Sequence, residues 1–280
     1  MAENTRNANG TTLVLGGRGK TGRRVVERLE ALGLPVRVGS RAGTPPFEWK
    51  DRSTWGPVLE GVGAVYLAYY PDLTVPGAVE DVGALSAAAL EAGAGRIVLL
   101  SGRGEEEAAV AERALIESGA EWTVLRASWF AQNFSEDYLL DAVREGVIAV
   151  PAGDVPEPFA DADDIADVAV AALTGDGHAG RIYEITGRRA LTFAEAAAEI
   201  GTAAGREVAF VPVPVDRYAA ELKEHGVPDE VADLLTYLFG TVLDGRNSLP
   251  ADGVRQALGR EPRDFADFAR DTAATGVWDA

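Results

Sequence analysis

The stretch Thr11-Thr12-Leu13-Val14-Leu15-Gly16-Gly17-Arg18-Gly19-Lys20-Thr21-Gly22 constrains this chain more than any other. An apolar run leads into the glycines, and a helix-forming run from Arg23 to Leu29 leaves them. Glycine at 16, 19 and 22 lets the backbone turn tightly, admits an anionic ligand close to the main chain and seats the new helix on the strand. The helix start then offers N–H groups that have no intrahelical partner to a pyrophosphate. Strand, glycine turn and helix in this order predict a dinucleotide site formed by Gly16, Gly17, Arg18, Gly19, Lys20, Thr21 and Gly22. The phosphate loop of nucleotide hydrolases shares the Gly19-Lys20-Thr21 run, but it needs a glycine where this chain has Val14.

The next strand, Pro35-Val36-Arg37-Val38-Gly39, ends at Ser40-Arg41. In dinucleotide folds an acid roughly 20 residues past the glycines takes the ribose 2′-hydroxyl, whereas an arginine suits a 2′-phosphate. Gly39, Ser40 and Arg41 stand there without an acid, which predicts NADP(H), with Arg18 as a second phosphate partner.

Further along, Phe47-Glu48-Trp49 reads as a short third strand and Ser53 to Leu59 as a helix. Strands follow at Ala64 to Ala68, Arg96 to Leu100 and Trp122 to Arg126, separated by helices at Val75 to Ala92 and Glu105 to Ser118. Such alternation predicts an α/β chain with a doubly wound, parallel Rossmann sheet. Ligands of open parallel sheets bind outside the carboxyl ends of the strands. That rule puts Tyr69 and Tyr70, just past the cofactor-side Ala68, near the nicotinamide path, where either is equally a rim aromatic packed on the loop, and the strand from Arg96 ends at Ser101. Beyond Ala127 an aromatic turn begins, in which Trp129, Phe130, Asn133 and Phe134 either line a substrate pocket or pack a junction. A strand at Val147 to Val150, a loop from Pro151 to Pro158 and a helix at Ile165 to Leu173 come next. Asp161, Asp163 and Asp164 before that helix could suggest a metal, but Asp163 or Asp164 capping the helix explains them more simply.

Arg181 to Ile185 reads as a strand returning to the sheet, and the remainder is mostly helical. We therefore expect an NADP-binding domain over residues 10–150, joined by the strand at 181–185, and a smaller, mainly substrate-binding lobe over 151–280. A net charge of −18 argues against nucleic acid or an anionic membrane as partner. Cysteine is absent, the two histidines lack metal-ligand spacing, and no metal is expected. Residues 1–9 are polar without a signal-peptide core, and no apolar run has membrane-spanning length, so a cytoplasmic monomer or homodimer acting on a small molecule is expected.

With these residues in place, the chain resembles the NmrA-like atypical short-chain dehydrogenases/reductases over nearly its whole length. The resemblance rests on Gly16-x-x-Gly19-x-x-Gly22, Val98-Leu99-Leu100-Ser101, Trp122-Thr123-Val124-Leu125-Arg126, Asp161 to Val168 and the element Thr186 to Ala196. Within that family it is similar to the ergot-alkaloid reductases, the agroclavine and festuclavine dehydrogenases. Gly16 to Thr21, Val38 to Arg41, Ala64 to Leu67 and Val124 to Phe134 carry that likeness. It implies NADPH-dependent reduction of a C=N or conjugated C=C bond in an apolar or aromatic secondary metabolite. One departure is Gln132, where that group tends to carry Glu, which puts a cationic substrate in question.

The wider superfamily reduces carbonyls with Tyr-x-x-x-Lys, the lysine lowering the pKa of the proton-donating tyrosine. None of the seven tyrosines has a lysine four residues later, and Lys20, Lys50 and Lys223 are the only lysines. Hydride addition to a ketone develops an alkoxide that needs a donor, whereas addition to an iminium yields a neutral amine. Reduction of C=N or C=C before C=O follows, with Tyr69, Tyr70 and Ser101 orienting substrate and nicotinamide. A non-catalytic NADP(H)-sensing regulator, and a fold co-opted for cyclisation or isomerisation, are the alternatives.

Overall fold

The computed structural model describes residues 10–279, so the polar stretch 1–9 lies outside the described residues. In chain order the first elements are β1 (Thr11–Leu15), α1 (Lys20–Ala31), β2 (Val36–Gly39), α2 (Trp55–Leu59), β3 (Val62–Leu67), α3 (Ala78–Glu91), β4 (Arg96–Gly102), α4 (Glu106–Ile116) and β5 (Glu121–Ala127). Next come α5 (Asn133–Glu136), α6 (Leu140–Glu145), β6 (Val147–Val150), α7 (Ala162–Thr174) and β7 (Arg181–Ile185). The chain closes with α8 (Phe193–Ala204), β8 (Ala209–Pro212), α9 (Val215–Glu224), α10 (Asp229–Tyr237), α11 (Gly253–Leu258) and α12 (Phe265–Ala273). After β8, therefore, the regular elements are helices, as expected.

Packing divides the chain into two compact units. The first comprises the chain through Ala127, Ala162–Glu184 and Gly253–Gly259; the second comprises Ser128–Asp161, Ile185–Asp252 and the chain from Arg260 on. This corrects the expected boundary at 150. The segment Ala162–Glu184 returns to the first unit because α7 packs on α1 through a helix whose Ile165, Ala166, Val168 and Ala169 are all buried. The strand β6 goes to the second unit, where it pairs in parallel with β8, Ile148 opposite Phe210.

The first unit is organised by a six-stranded sheet in the order β2-β1-β3-β4-β5-β7. Its pairs from β2 to β5 are parallel, with Val14 opposite both Val38 and Tyr66, and Tyr66 opposite Val98. A parallel sheet needs cover on both faces, and alternate residues supply it. Leu13, Leu15, Val65, Leu67, Ile97, Leu99 and Val124 point into one core with Val58 and Leu59 of α2, Val82 and Leu85 of α3, and Leu115 of α4. Tyr66 points the other way and meets Thr21 of α1. The chain reverses direction across the sheet between β1 and β3, and this switch point is where ligands of such sheets bind.

The expected third strand at 47–49 does not form. Glu48 makes only an isolated bridge to Asp51. The rings of Phe47, Trp49 and Trp55 pack on one another instead, with centroids 4.9 to 6.2 Å apart, and Pro45 and Pro46 immediately before them have no N–H to give a ladder. Burying three large rings stabilises a loop that a single edge strand would have left half-exposed.

In the second unit the core is aromatic. Phe134 and Phe159 pack on each other and each on both Phe193 and Phe265, and α8 starts from a capping box in which Thr192 and Glu195 satisfy each other's backbone N–H groups.

Candidate functional site

The glycine turn is held as its sequence requires. Gly16 has a φ of 69°, and the Gly19 N–H donates to the Gly16 carbonyl at 2.8 Å. Gly19 itself is the extended N-cap of α1 and contributes no side-chain cap, so the first N–H groups of the helix face whatever approaches the turn. No acid stands in the first turn to offset the positive end of the helix dipole. A Cβ on Gly17 would lie 2.9 Å from Val38 Cγ1, and one on Gly22 would collide with the Gly16 carbonyl oxygen and come 2.8 Å from Gly17 Cα. The cradle exists only because these positions carry hydrogen.

Two loop side chains have distinct positions. Arg18 is exposed. Thr21 is buried, and its hydroxyl accepts a hydrogen bond from the Tyr66 phenol at 3.0 Å, which occupies one lone pair and leaves its own proton uncommitted by that contact. Burial raises the Tyr66 phenol, which keeps it a neutral donor.

At the end of β2 the Ser40 hydroxyl oxygen is shielded from solvent and has no hydrogen-bond partner. A buried hydroxyl without a partner costs roughly 1–3 kcal/mol, and a phosphate oxygen is a partner that would recover it. Arg41 beside it is 83% exposed, with Glu48 at 3.9 Å. An orphaned hydroxyl, an exposed guanidinium and a glycine cradle together fit a 2′-phosphorylated dinucleotide.

The carboxyl ends of β3 and β4 correct the expected roles. Tyr69 is buried, its ring 4.5 Å from that of Trp49 and its hydroxyl donating to Asp81 at 2.9 Å. Asp81 also receives Arg52 at 3.0 Å, so Tyr69 belongs to a structural network and its proton is committed. Tyr70 is 71% exposed. Ser101 is buried and donates to Glu112 at 2.6 Å, and Glu112 is gripped by Arg126 at 2.6 Å. The Ser101 oxygen can still accept a hydrogen bond, but its proton is already used. Ala68 closes the strand end against Gly16, whose Cβ would lie 3.2 Å from the Ala68 methyl.

Glu105 was read from the sequence only as the start of a helix. It is in fact the N-cap of α4, yet its side chain makes no capping bond. Its carboxyl folds back over Gly102, where any Cβ would overlap it, and its Oε2 is shielded without a partner. Burial, with Asp72, Glu107 and Glu112 adding repulsion, holds it well above the usual carboxylate range. Asp72, at the loop after β3, is raised too by burial. No local pattern marks such a residue, because an acid at a helix start is what dipole complementarity already accounts for.

In the second unit, Trp129 is half-buried with its ring 4.5 Å from Phe239 and 5.7 Å from Phe193. Phe130 and Asn133 are half-buried as well. Phe134 is fully buried among Phe159, Phe193 and Phe265, which takes it out of the substrate-facing set and makes it core. Gln132 is buried and donates to Asp161 at 2.7 Å, while Arg263 reaches the same carboxylate at 3.0 Å. In the first unit Asp163 receives Arg24 and Arg28 at 3.3 and 2.7 Å. Ion pairs and an amide contact thus occupy these acids. Among the described residues no helix is long and apolar enough to cross a membrane.

A parallel sheet with a glycine turn at its switch point defines a doubly wound dinucleotide-binding fold. The solved structure of Citrobacter sp. triphenylmethane reductase complexed with NADP(H) shares that fold, with a TM-score of 0.75 at 19% identity, over 94% of this chain and 99% of that one. No protein-family model matches the chain. The uncharacterized oxidoreductase YesF of Bacillus subtilis (strain 168) is 34% identical over 288 residues, 95% of this chain and 97% of the relative. Agroclavine dehydrogenase of Claviceps fusiformis is 33% identical over 291 residues, 96% of this chain and 98% of the relative. The chain belongs to the NmrA-like atypical short-chain dehydrogenases/reductases, near the ergot-alkaloid reductases.

Proposed function

We propose that the protein is an NADPH-dependent reductase of a small apolar or aromatic metabolite, delivering hydride to C=N or conjugated C=C. The observation that carries this reading is the glycine cradle and bare N-terminus of α1, paired with the unpartnered Ser40 hydroxyl and no acid at the end of β2. The oxidoreductase names of relatives covering nearly the whole chain support it. Gly16, Gly17, Gly19, Lys20, Thr21 and Gly22 would hold the pyrophosphate through main-chain N–H groups, and Arg18, Ser40 and Arg41 the 2′-phosphate. When bound, NADPH supplies the hydride and its electron pair.

Ser101, whose proton goes to Glu112, offers only its lone pairs at the end of β4, and Tyr70 is an exposed aromatic at the end of β3. Trp129, Phe130 and Asn133 are the half-buried residues we assign to the substrate. An apolar, aromatic lining favours a flat unsaturated substrate.

Stopped-flow loss of NADPH absorbance with panels of imines, enones and quinones tests the assignment. Turnover with at least one class and a product heavier by two hydrogens is expected; tight NADPH binding with no turnover in any panel makes the protein a sensor instead. The cofactor has its own test. Arg41→Glu is expected to weaken NADPH binding by about 10-fold or more, since one charge-assisted contact to phosphate is worth roughly 1.5–3 kcal/mol and the new carboxylate repels the phosphate. NADH affinity should hardly change, and calorimetry on both cofactors reads the difference. Equal affinities for NADH and NADPH in the unmutated protein would remove Arg41 from the site.

A further inference from the structure

The reductase reading leaves the proton unassigned. Reducing a conjugated C=C, or a quinone, adds a hydride and then requires a proton at the oxygen that has gained electron density. Tyr-x-x-x-Lys is absent, Tyr69 is bonded to Asp81, and the Ser101 proton is held by Glu112. One acidic group at this edge of the sheet is left without a structural task.

That group is Glu105. A side chain at an N-cap ordinarily accepts from the first N–H groups of its helix, a bond worth ~1 kcal/mol. Glu105 forgoes it and lays its carboxyl on Gly102, three residues before it and the last residue of β4, with one oxygen shielded and unpartnered. Gly102 is the neighbour of Ser101, on the strand next to β3, at the carboxyl edge where ligands of this sheet bind. An unpaired oxygen held out of water at that edge is a hydrogen-bond position kept for something other than the protein.

Resting on the reductase reading above, we infer that Glu105 is the proton donor of this site and that its substrates are conjugated acceptors, enones or quinones, rather than simple iminium ions. The C=C receives hydride at its far carbon from NADPH, which is oxidised as the substrate is reduced by two electrons. The π pair shifts to the carbonyl oxygen, which forms its O–H bond with the Glu105 proton as the Glu105 O–H breaks. The resulting carboxylate is reprotonated from water after the product leaves.

The charged neighbours support the neutral acid. Asp72 from the loop after β3 and Glu107 and Glu112 from α4 all repel a carboxylate at 105. Burial pushes in the same direction, so Glu105 holds its proton well above the usual carboxylate range. The activity it supports is present while the acid is protonated and is lost as pH rises through its raised pKa.

Glu105→Gln is the test, since it keeps shape and removes the proton. In E105Q, kcat/KM for an enone or quinone is expected to fall by about 100-fold, the ordinary contribution of a general acid, while the NADPH dissociation constant measured by fluorescence stays within about threefold. The alkaline limb of the wild-type kcat/KM profile should vanish in E105Q. Independently of turnover, the infrared difference between wild type and E105Q at neutral pH should contain the C=O stretch of a protonated carboxyl. Wild-type rates in E105Q, or absence of that band, overturn the assignment and leave the reductase reading intact. Wild-type protein that reduces imines but no enone or quinone overturns it equally. Protein that binds no NADPH, or oxidises none with any panel, removes the reductase reading and this inference with it.

Discussion

Gly22→Ala is expected to abolish measurable NADPH binding and to lower stability by about 2–3 kcal/mol, the upper part of the range for overpacking a filled site. The reason is geometric. The new methyl would collide with the Gly16 carbonyl oxygen and lie 2.8 Å from Gly17 Cα, both backbone atoms that cannot move aside as a side-chain tip can. Relief requires lifting the first turn of α1 off the glycine turn, which moves the N–H groups meant for the pyrophosphate. Gly19→Ala is the control, because its Cβ would meet only the Gly16 carbonyl oxygen, at 3.2 Å, and a few tenths of an ångström suffice. For a chain of this size the Gly22 variant should melt roughly 4–12 °C lower, at ~2–4 °C per kcal/mol. Thermal melting and fluorescence titration with NADPH give both readouts, and a G22A protein matching wild type in either would show that the turn is not the rigid cradle described.

Arg126→Ala carries the second large effect, expected at about 3 kcal/mol of destabilisation, the lower end for removing one partner of a buried pair. Glu112 is nearly inaccessible, with a side chain 2% exposed, and Arg126 donates to both of its oxygens at 2.6 to 3.1 Å. The Glu112 carboxylate, with Ser101 as its other donor, is what raises the Arg126 pKa, so the pair is mutually sustained. Without the guanidinium, Glu112 is a buried charge held by one hydroxyl, and it must take up a proton or open to water. The double variant Arg126→Ala with Glu112→Gln should recover part of the loss, and urea denaturation of the set measures it. No recovery in the double variant would mean that the loss comes from the Arg126 stem's packing and not from the stranded charge.

These effects differ in how far the responsible residues were visible along the chain. Gly16, Gly19 and Gly22 act within seven residues, through backbone conformation and close approach, and a preceding apolar strand is enough to place them. The alternation of β3, α3, β4, α4 and β5 was equally legible, because parallel strands buried on both faces read as continuous apolar runs. The stretch at 47–49 was not, since Phe and Trp favour strands and favour aromatic clusters alike, and only the presence of Trp55 and Tyr69 nearby decided for the cluster. The boundary at Ala127 escaped for a related reason. Whether β6 joins the large sheet or pairs with β8 depends on a partner some sixty residues later.

The aromatic turn shows the same limit at single residues. Trp129 and Phe134 are alike in type and five positions apart, yet one is half-buried and the other sits at the centre of a four-ring cluster. Type and spacing state that rings gather in this segment; packing states which of them stays partly open.

The features on which the proposed NADP(H) site rests are readable from local order alone, because a glycine turn and an absent acid are properties of short segments. The chemistry at the strand ends was decided by tertiary structure. A hydroxyl is a proton donor only if nothing else holds its proton, and the holders lie outside the local motif: Asp81 is 12 residues from Tyr69 and Glu112 is 11 from Ser101. Once those partners are in place Tyr69 and Ser101 are spent, and the proton donor we infer, Glu105, is an acid that position along the chain had hidden.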